Sequence, residues 1–215
     1  MRLYWLGHAC FLLVASDGTR VVTDPFDEQV GYPVPGVRAD LATVSHQHFD
    51  HNATRVLAGR PRVVTEPGEG RFGSVTVRGV ATYHDAVQGR QRGPNTVFVI
   101  TVDGVRVCHL GDLGHGLTPA QVAEIGPVDV LLVPVGGTFT IGPAEAHGVV
   151  EALRPALAVP MHYKTDVVTL PLAPVEEFTR RFPEVAHRDF LEVGADSLPP
   201  PTQVVVLALT PPHAV

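Results

Sequence analysis

The sequence predicts an α+β fold, a four-layer αββα sandwich in which two β-sheets pack against each other between outer helices. Three observations predict it. Strands come first in the 215-residue chain and mixed strands and helices follow, strand-rich hairpins open both halves, and ligand-type side chains recur where strands end. Because packed sheets bring their strand ends to one edge, we expect a metal site at that edge. No Ser/Gly-rich linker or long charge run interrupts the chain, so we predict one domain over residues 1–215.

Composition restricts the classes of function. Hydrophobic residues make up 45% and charged residues 18%, and the net charge of −6 with scattered basic residues gives no electrostatic footprint for nucleic acid. No apolar stretch is long enough to cross a bilayer, and Arg2, Trp5 and His8 interrupt a signal-peptide core. Cys10 and Cys108 fall in predicted strands, which favours buried thiols in a reducing compartment. We expect a cytoplasmic protein with a small-molecule substrate and no nucleic-acid or membrane partner, and homo-oligomerisation stays open.

The chain opens with a predicted antiparallel meander and then leads into the expected metal site. Residues 16–18, Ser-Asp-Gly, are a hairpin signal between two apolar runs. Residues 41–44 predict a short buried strand, and residues 52–58 predict the first turns of a helix. The segment between them is therefore predicted to be a strand-to-helix turn. The strands of the meander are residues 2–6, 10–15 and 20–24.

Strands and helices alternate in the second half. Asp103-Gly104 predicts a hairpin turn, and Pro119 suits the first turn of a helix. The predicted strands are residues 62–65, 74–83, 96–102, 105–110, 128–133, 156–161 and 204–209. The predicted helices are residues 118–125, 143–153 and 174–182.

Residues 45–52, Ser-His-Gln-His-Phe-Asp-His-Asn, hold three imidazoles and a carboxylate within six positions. His46 and His48 lie two residues apart in extended backbone and can point the same way, while Asp50 and His51 can face a second point nearby. Clustered imidazoles repel one another once protonated, and buried neutral ones each need a partner. Metal binding therefore explains the cluster best, and its arrangement suits two metal ions.

Three isolated residues at predicted strand ends extend this pattern. His84 ends one strand, Asp112 stands between glycines after another, and His162 ends a third. Because these strands would meet at one edge of the sandwich, the three side chains are candidates to complete the site.

These residues belong to motifs that resemble the metallo-β-lactamase fold superfamily. Within it the chain is similar to the small single-domain metal-dependent hydrolases, which include the ascorbate-6-phosphate lactonase type and the phospholipase D type acting on N-acyl-phosphatidylethanolamine. The resemblance covers nearly the whole chain and implies the metallo-β-lactamase form of the αββα sandwich. The motifs that carry it are His46-x-His48-x-Asp50-His51, Trp5-Leu6-Gly7-His8-Ala9, Thr23-Asp24-Pro25, Gly93-Pro94-Asn95-Thr96, His109-Leu110-Gly111-Asp112-Leu113-Gly114, Pro134-Val135-Gly136-Gly137 and Pro160-Met161-His162-Tyr163.

The resemblance also implies two sets of metal ligands that share a bridging carboxylate. The first set is His46, His48 and His84, the second is Asp50, His51 and His162, and the bridge is Asp112. Imidazoles and carboxylates without a thiolate suit two divalent ions, Zn²⁺ as the first choice and Mn²⁺, Ni²⁺ or Fe as alternatives. Gln47 stands where diiron relatives place an acidic ligand, so an oxygen-reducing diiron role is not expected.

Two neighbouring cations imply hydrolysis. They lower the pKa of a shared water and neutralise the charge that develops in the transition state, so a bridging hydroxide can attack an ester. We expect a small soluble ester, a phosphodiester or a sugar lactone, with Asp50 and Asp112 as the catalytic carboxylates. Two alternatives stay open: a phosphodiesterase acting on lipid or nucleic acid, and a non-catalytic metal-bound sensor.

Other residues near these motifs each have more than one candidate role. His8 either lines the pocket or bonds a loop, and Asp24 either orients the histidine cluster or is a turn aspartate. Lys164, the sole lysine, is expected to face an anionic substrate group because it follows His162 closely.

Charged and histidine side chains elsewhere are assigned mainly to the surface. For Arg90 and Arg92 a solvated face is favoured over substrate binding, and Asp85 either steadies His84 or is solvated. The histidines not expected to be ligands are His109, His115, His147, His187 and His213.

Overall fold

The computed structural model describes residues 1–199 and 202–215, which form fourteen strands and three α-helices. The strands are β1 (Arg2–Gly7), β2 (Cys10–Val14), β3 (Arg20–Thr23), β4 (Arg38–Thr43), β5 (Ala58–Val64), β6 (Gly68–Phe72), β7 (Val75–Tyr83), β8 (Pro94–Val102), β9 (Val105–His109), β10 (Val130–Pro134), β11 (Leu157–Met161), β12 (Val185–Arg188), β13 (Leu191–Glu192) and β14 (Gln203–Leu207). The helices are α1 (Pro119–Ile125), α2 (Pro143–Leu153) and α3 (Glu176–Thr179). No helix in these described ranges is long and apolar enough to span a membrane.

The first sheet has the strand order β13-β1-β2-β3-β4-β5. The predicted antiparallel meander of β1, β2 and β3 is confirmed, and β3, β4 and β5 then pair in parallel. Because β3 and β4 are parallel neighbours, the segments that follow them, which begin at Asp24 and Val44, leave the sheet side by side.

The second sheet has the order β12-β14-β11-β10-β9-β8-β7-β6. Strands β6 to β9 pair antiparallel, whereas β9, β10, β11, β14 and β12 pair in parallel. It follows that β7, β9 and β11 run in the same direction and that their C-terminal ends share one edge.

The two sheets enclose one hydrophobic core. A single cluster of buried residues includes Phe11 of the first sheet and Phe98 of the second. The ring of Trp5 in β1 stacks on Tyr163, just after β11, with centroids 5.3 Å apart. Helix α1 contacts β7 and α2 contacts β10, so both cover the second sheet. The predicted sandwich of packed sheets therefore agrees with the structure.

The helix predicted for residues 52–58 is wrong. In its place stands a 3-10 turn, Thr54–Val56, and the chain then enters β5 at Ala58. Pairing with β4 explains the difference, because β5 lies parallel to β4 with Ala58 opposite Arg38. Gly59, at φ 88°, and Pro61 also disfavour a helix. Within the described residues, the chain before Pro119 contains 3-10 turns and no α-helix.

The predictions for the C-terminal part are only partly correct. Helix α2 has the predicted bounds, but residues 174–182 form the four-residue helix α3 within a longer run of turns. The backbone N–H groups of Arg181 and Phe182 reach back only three residues, which gives 3-10 rather than α-helical bonding. The edge strands β6, β12 and β13 were not predicted.

Candidate metal centre

One buried carboxylate fixes the loop after β4 to the end of β3. Asp24 follows β3 in a left-handed backbone conformation, φ 38°, and its Oδ1 accepts the backbone N–H of Ser45 at 2.8 Å. Its Oδ2 lies 2.5 Å from the Ser45 hydroxyl and 2.8 Å from Nδ1 of His51. The structure thus places Asp24 where it can orient the histidine cluster, the first of the two roles considered for it.

Ser45 extends this arrangement to His46. The Ser45 Oγ lies 2.9 Å from Nδ1 of His46. Because the hydroxyl proton is directed to Asp24, the Ser45 oxygen is left to accept the Nδ1–H of His46. His46 and His51 therefore both use Nδ1 for hydrogen bonding and keep Nε2 for the centre. Sequence reasoning missed Ser45, although its hydroxyl stands directly before the first histidine of the cluster.

The second sheet contributes three residues at one edge. His84 follows β7, Asp112 lies just beyond β9, and His162 follows β11. Gly111 fixes the position of Asp112: at φ 56° it is left-handed, and a Cβ there would lie 2.4 Å from Oδ1 of Asn95. The same Asn95 oxygen accepts the backbone N–H of Asp112 at 3.0 Å.

Residues from both sheets converge on one carboxylate oxygen. Oδ2 of Asp112 lies 3.2 Å from Nε2 of His84, 3.3 Å from Nε2 of His51, 3.4 Å from Nε2 of His162 and 3.9 Å from Nε2 of His46. All five residues are buried. Two packed sheets therefore supply a single imidazole–carboxylate centre.

The predicted ligand residues fall into two spatial groups. In each group every residue offers one ligand atom, and these atoms lie within 4.8 Å of one another. Two groups contain the predicted ligands, His46, His48 and His84, and His8, Asp50, His51 and His162, and a third, Asp24, His46 and His51, joins one member of each. This is the partition that the resemblance implies, with His8 added and Asp112 between the groups. That these residues coordinate metal stays a prediction.

Several buried atoms of the centre lack partners within the described part of the protein. They include Nε2 of His46, Nε2 of His51 and Oδ1 of Asp112. A buried polar atom without a partner costs about 1–3 kcal/mol, so such a concentration calls for a ligand. Imidazole nitrogen and carboxylate oxygen are donors that divalent cations such as Zn²⁺ accept, so the residues present fit the implied metal ions.

In the free protein, the charges of the imidazoles and carboxylates of this centre depend strongly on one another. Burial disfavours the charged form of both Asp112 and His51, yet the nearby imidazoles hold the pKa of Asp112 well below its usual range, and Asp112 and Asp50 raise the pKa of His51 well above its own. Burial and the neighbouring His51 lower the pKa of His46 to about 3. The charges of these imidazoles and carboxylates therefore balance one another in the free protein, and a bound cation would compete with protons for the same atoms.

His8 lies inside the second group. It is buried at φ 52°, its Nε2 lies 3.1 Å from Oδ2 of Asp50, and its ring is 4.2 Å from that of His162. Its backbone oxygen accepts the indole N–H of Trp5 at 3.0 Å and the backbone N–H of His162 at 3.2 Å. His8 therefore both holds Asp50 and joins the start of the chain to the end of β11.

A cavity of about 330 Å³ opens over the centre. Lys164 is not among its lining residues: its ammonium donates to the backbone oxygen of Val168, and its backbone pairs with Ala173. The expectation that Lys164 faces a substrate is not supported by this placement. His162, two residues before Lys164, has a left-handed backbone, φ 52°. Arg92, assigned to a solvated face from sequence, lines the cavity instead.

The remaining candidates have structural positions. Asp85 is buried and accepts the backbone N–H groups of Val87, Gly89, Gln91 and Arg92. Burial alone would raise its pKa, but these donors hold it at about 2. His109 lies between the sheets and donates to the backbone oxygen of Ala9 at 2.7 Å. Among the described residues, none of the five histidines set aside from sequence belongs to either ligand group.

Comparison with known proteins identifies the family of the chain. A family model described as the Beta-lactamase superfamily domain matches residues 2–162. A UPF0173 metal-dependent hydrolase of Carboxydothermus hydrogenoformans is 34% identical over 196 residues, which covers 77% of this chain and 85% of that protein. A second, from Methanoculleus marisnigri, is 36% identical over 188 residues and covers 77% and 82%.

A solved structure extends the similarity to the whole fold. The protein from Thermotoga maritima, assigned as a Zn-dependent hydrolase of the metallo-beta-lactamase superfamily, is 45% identical with a TM-score of 0.82. The match covers 96% of this chain and 97% of that one. The resemblance and the fold class expected from the sequence are confirmed. The chain belongs to the metallo-β-lactamase superfamily, in the family that includes the UPF0173 metal-dependent hydrolases.

Proposed function

We propose that the chain is a dinuclear-metal hydrolase that cleaves a small soluble ester, a phosphodiester or a sugar lactone. One observation carries the proposal: four imidazole Nε2 atoms lie 3.2 to 3.9 Å from a single oxygen of Asp112. Both ligand groups contribute residues to the lining of an open cavity, so a substrate can reach both groups.

Each residue has a definite task in this proposal. His46, His48 and His84 would hold one cation, Asp50, His51 and His162 the other, and Asp112 both. When bound, the two cations would supply Lewis acidity that activates water and neutralises developing negative charge. Asp24 orients His51, and Ser45 orients His46, each through a hydrogen bond to the imidazole Nδ1.

Asp50 is proposed to orient the attacking water or to accept its proton. Its Oδ2 is held by Nε2 of His8 at 3.1 Å and lies 3.6 Å from Nε2 of His51. The carboxylate is only partly buried and lines the cavity, so it is accessible to a substrate. The neighbouring imidazoles keep its pKa far below its usual range, so the carboxylate is ionised at neutral pH and can accept a hydrogen bond from the water, which supports orientation more than proton transfer.

The cavity favours small substrates over the alternatives. Two cavities share His48 and Arg92, one of about 330 Å³ over the centre and one of about 500 Å³ beside it, and both volumes lie within the usual range for small-molecule sites of about 300–1,000 Å³. The net charge of −6 also speaks against a nucleic-acid substrate. The complete donor set supports turnover over a sensor role, since sensing alone does not require an accessible carboxylate beside the ligands.

Hydrolysis assays on the protein with measured Zn²⁺ or Mn²⁺ content test the proposal. We expect turnover of bis-p-nitrophenyl phosphate or of a member of a sugar-lactone panel, and loss of this activity in His46→Ala. A nucleic-acid and a phospholipid substrate in the same assay address the phosphodiesterase alternative. Full metal content without hydrolysis of the diester or of any lactone would refute the proposal and favour the sensor.

A further inference from the structure

The loop between His84 and β8 connects the metal centre to Arg92, and hydrogen bonds hold this loop rigid. Asp85, directly after His84, accepts backbone N–H groups at Val87, Gly89, Gln91 and Arg92 over distances of 2.8 to 2.9 Å. The loop also closes on itself, because the backbone N–H of His84 donates to Gly93 at 3.1 Å. The position of Arg92 relative to His84 is therefore fixed by one buried carboxylate.

The guanidinium of Arg92 is held over an aromatic ring and is free of acidic partners. Its Cζ lies 5.4 Å from the ring centroid of Phe139. In the described ranges no carboxylate lies within 4.0 Å of it, and its side chain makes no hydrogen bond there. The neighbouring Arg90 differs, since it is exposed and its Nε donates back to the backbone oxygen of Val87 at 3.0 Å.

The cavity combines this cation with apolar walls. Its floor consists of residues of the metal centre, and its walls include Phe49, Phe139 and Leu170. Phe49 is 50% exposed, a large apolar side chain at the rim with room for a ligand beside it. A guanidinium stacked on an aromatic ring in a partly desolvated site recognises carboxylate or phosphate groups well.

We propose that Arg92 is a specificity-determining residue, and that it binds an anionic carboxylate or phosphate group of a substrate whose apolar part contacts Phe139 and Leu170. The inference rests on the proposed function and narrows its substrate class to esters with an apolar part and an anionic group beside the reacting bond, which favours a phosphodiester over a sugar lactone. Arg92 takes the role that sequence reasoning gave to Lys164. Asp85 is a positioning residue that acts through the loop.

Equilibrium binding tests the inference without turnover. The Zn²⁺-loaded protein is titrated calorimetrically with 4-phenylbutyrate, 3-phenylpropylphosphonate and the neutral 4-phenylbutyramide. We expect at least one anion to bind about tenfold or more tightly than the amide, because a charge-assisted hydrogen bond contributes on this scale. The anion with the larger preference identifies a carboxylate or a phosphate as the recognised group.

Three variants separate Arg92 from general effects. Because the bound Zn²⁺ also attracts anions in every variant, Arg92→Ala should lower the anion-to-amide preference about tenfold rather than abolish it. Arg92→Lys should keep part of the lost preference, and Arg90→Ala should leave it unchanged. Thermal melting and metal content should match the wild type in each variant, because Arg92 bonds Asp85 through its backbone. An unchanged preference in Arg92→Ala, or no preference in the wild type, would overturn the inference. Binding is measured without catalysis, so a failed hydrolysis assay does not decide this test.

Discussion

The candidate metal centre has two halves, one from the loop after β4 and one from the second sheet, and they are held in different ways. In the loop after β4, His46 and His51 are tied through Ser45 and Asp24 by hydrogen bonds of 2.5 to 2.9 Å. On the second sheet, His84 and His162 have no hydrogen-bond partner at Nδ1 among the described residues. The first half is therefore oriented by local hydrogen bonds, and the second by strand register. Substitution of an orienting group should therefore lower the metal affinity of the first half. The metal affinity of the second half should fall mainly when one of its ligands is itself removed.

The largest effect is expected for Asp112→Asn, because Asp112 serves both halves. The amide lacks the charge that balances His51 and the shared cations, so the variant should lose most of its metal and more than about 100-fold of its hydrolytic activity. Elemental analysis by mass spectrometry measures the metal. Asp129→Asn, at the opposite end of the second sheet, should retain full metal content. A full complement of metal in Asp112→Asn would show that the two halves do not share this carboxylate.

A smaller loss is expected for Asp24→Asn, which breaks the hydrogen bonds of the first half only. Groups that orient metal-bound histidines typically contribute about 10–100-fold in metal affinity, and Asp24 supports two of them. Chelator competition measures the affinity. Asp40→Asn, an exposed carboxylate on the neighbouring β4, is the matched control. If both variants bound metal as the wild type does, the first half would not depend on its hydrogen bonds.

Ser45→Ala should weaken metal binding less than Asp24→Asn. It removes the acceptor for Nδ1 of His46 but leaves the Asp24–His51 pair at 2.8 Å intact. We expect about a tenfold loss of affinity in the same chelator competition, at the lower end of the range for such groups. Ser74→Ala, with an exposed hydroxyl, should have no effect. A loss equal to that of Asp24→Asn would mean that Ser45, rather than Asp24, orients the loop.

The smallest effect is expected at Asp129, far from the centre, and it concerns stability alone. Arg106 binds both oxygens of Asp129, at 2.7 and 2.9 Å, and lowers the pKa of this carboxyl. A lowered pKa in the folded state gives stability that is present above the unfolded value of about 4 and is lost as the pH falls through the folded pKa.

Asp129→Asn should therefore destabilise the protein by about 1 kcal/mol at pH 7, since the Arg106 side chain is partly exposed. Its urea unfolding should approach that of the wild type below about pH 4. An identical difference at pH 7 and pH 3 would contradict the assigned ion pair. The metal content of Asp129→Asn should equal that of the wild type, because the Arg106–Asp129 pair lies far from the metal centre.

Much of the site was predictable because its residues recur at strand ends. Dense imidazoles at residues 45–52 indicated a metal motif, and His84, Asp112 and His162 could be added once each was placed after a strand. Pattern alone could not reveal the contacts made across the fold. Ser45 and Asp85 act through hydrogen bonds, and a hydroxyl or carboxylate in a loop has the same sequence signal whether it is buried or solvated.

The errors have the same physical origin. Residues 52–58 have no strong strand pattern, and their conformation is decided by pairing with β4. Lys164 was favoured because it closely follows His162, and Arg92 was assigned to a solvated face. In the structure the Lys164 ammonium bonds the backbone oxygen of Val168, whereas the loop fixed by Asp85 places Arg92 at the cavity. Strand pairing and contacts within loops therefore outweighed local preference at these positions.

We predict that metal binding at this centre requires residues from both sheets. The most direct measurement is the number of metal ions per chain in the wild type, His46→Ala and His162→Ala, with folding verified by circular dichroism. We predict two ions in the wild type and no more than one in either variant, because each substitution removes a ligand of a different group. Two ions retained in both variants would contradict the assignment of the centre.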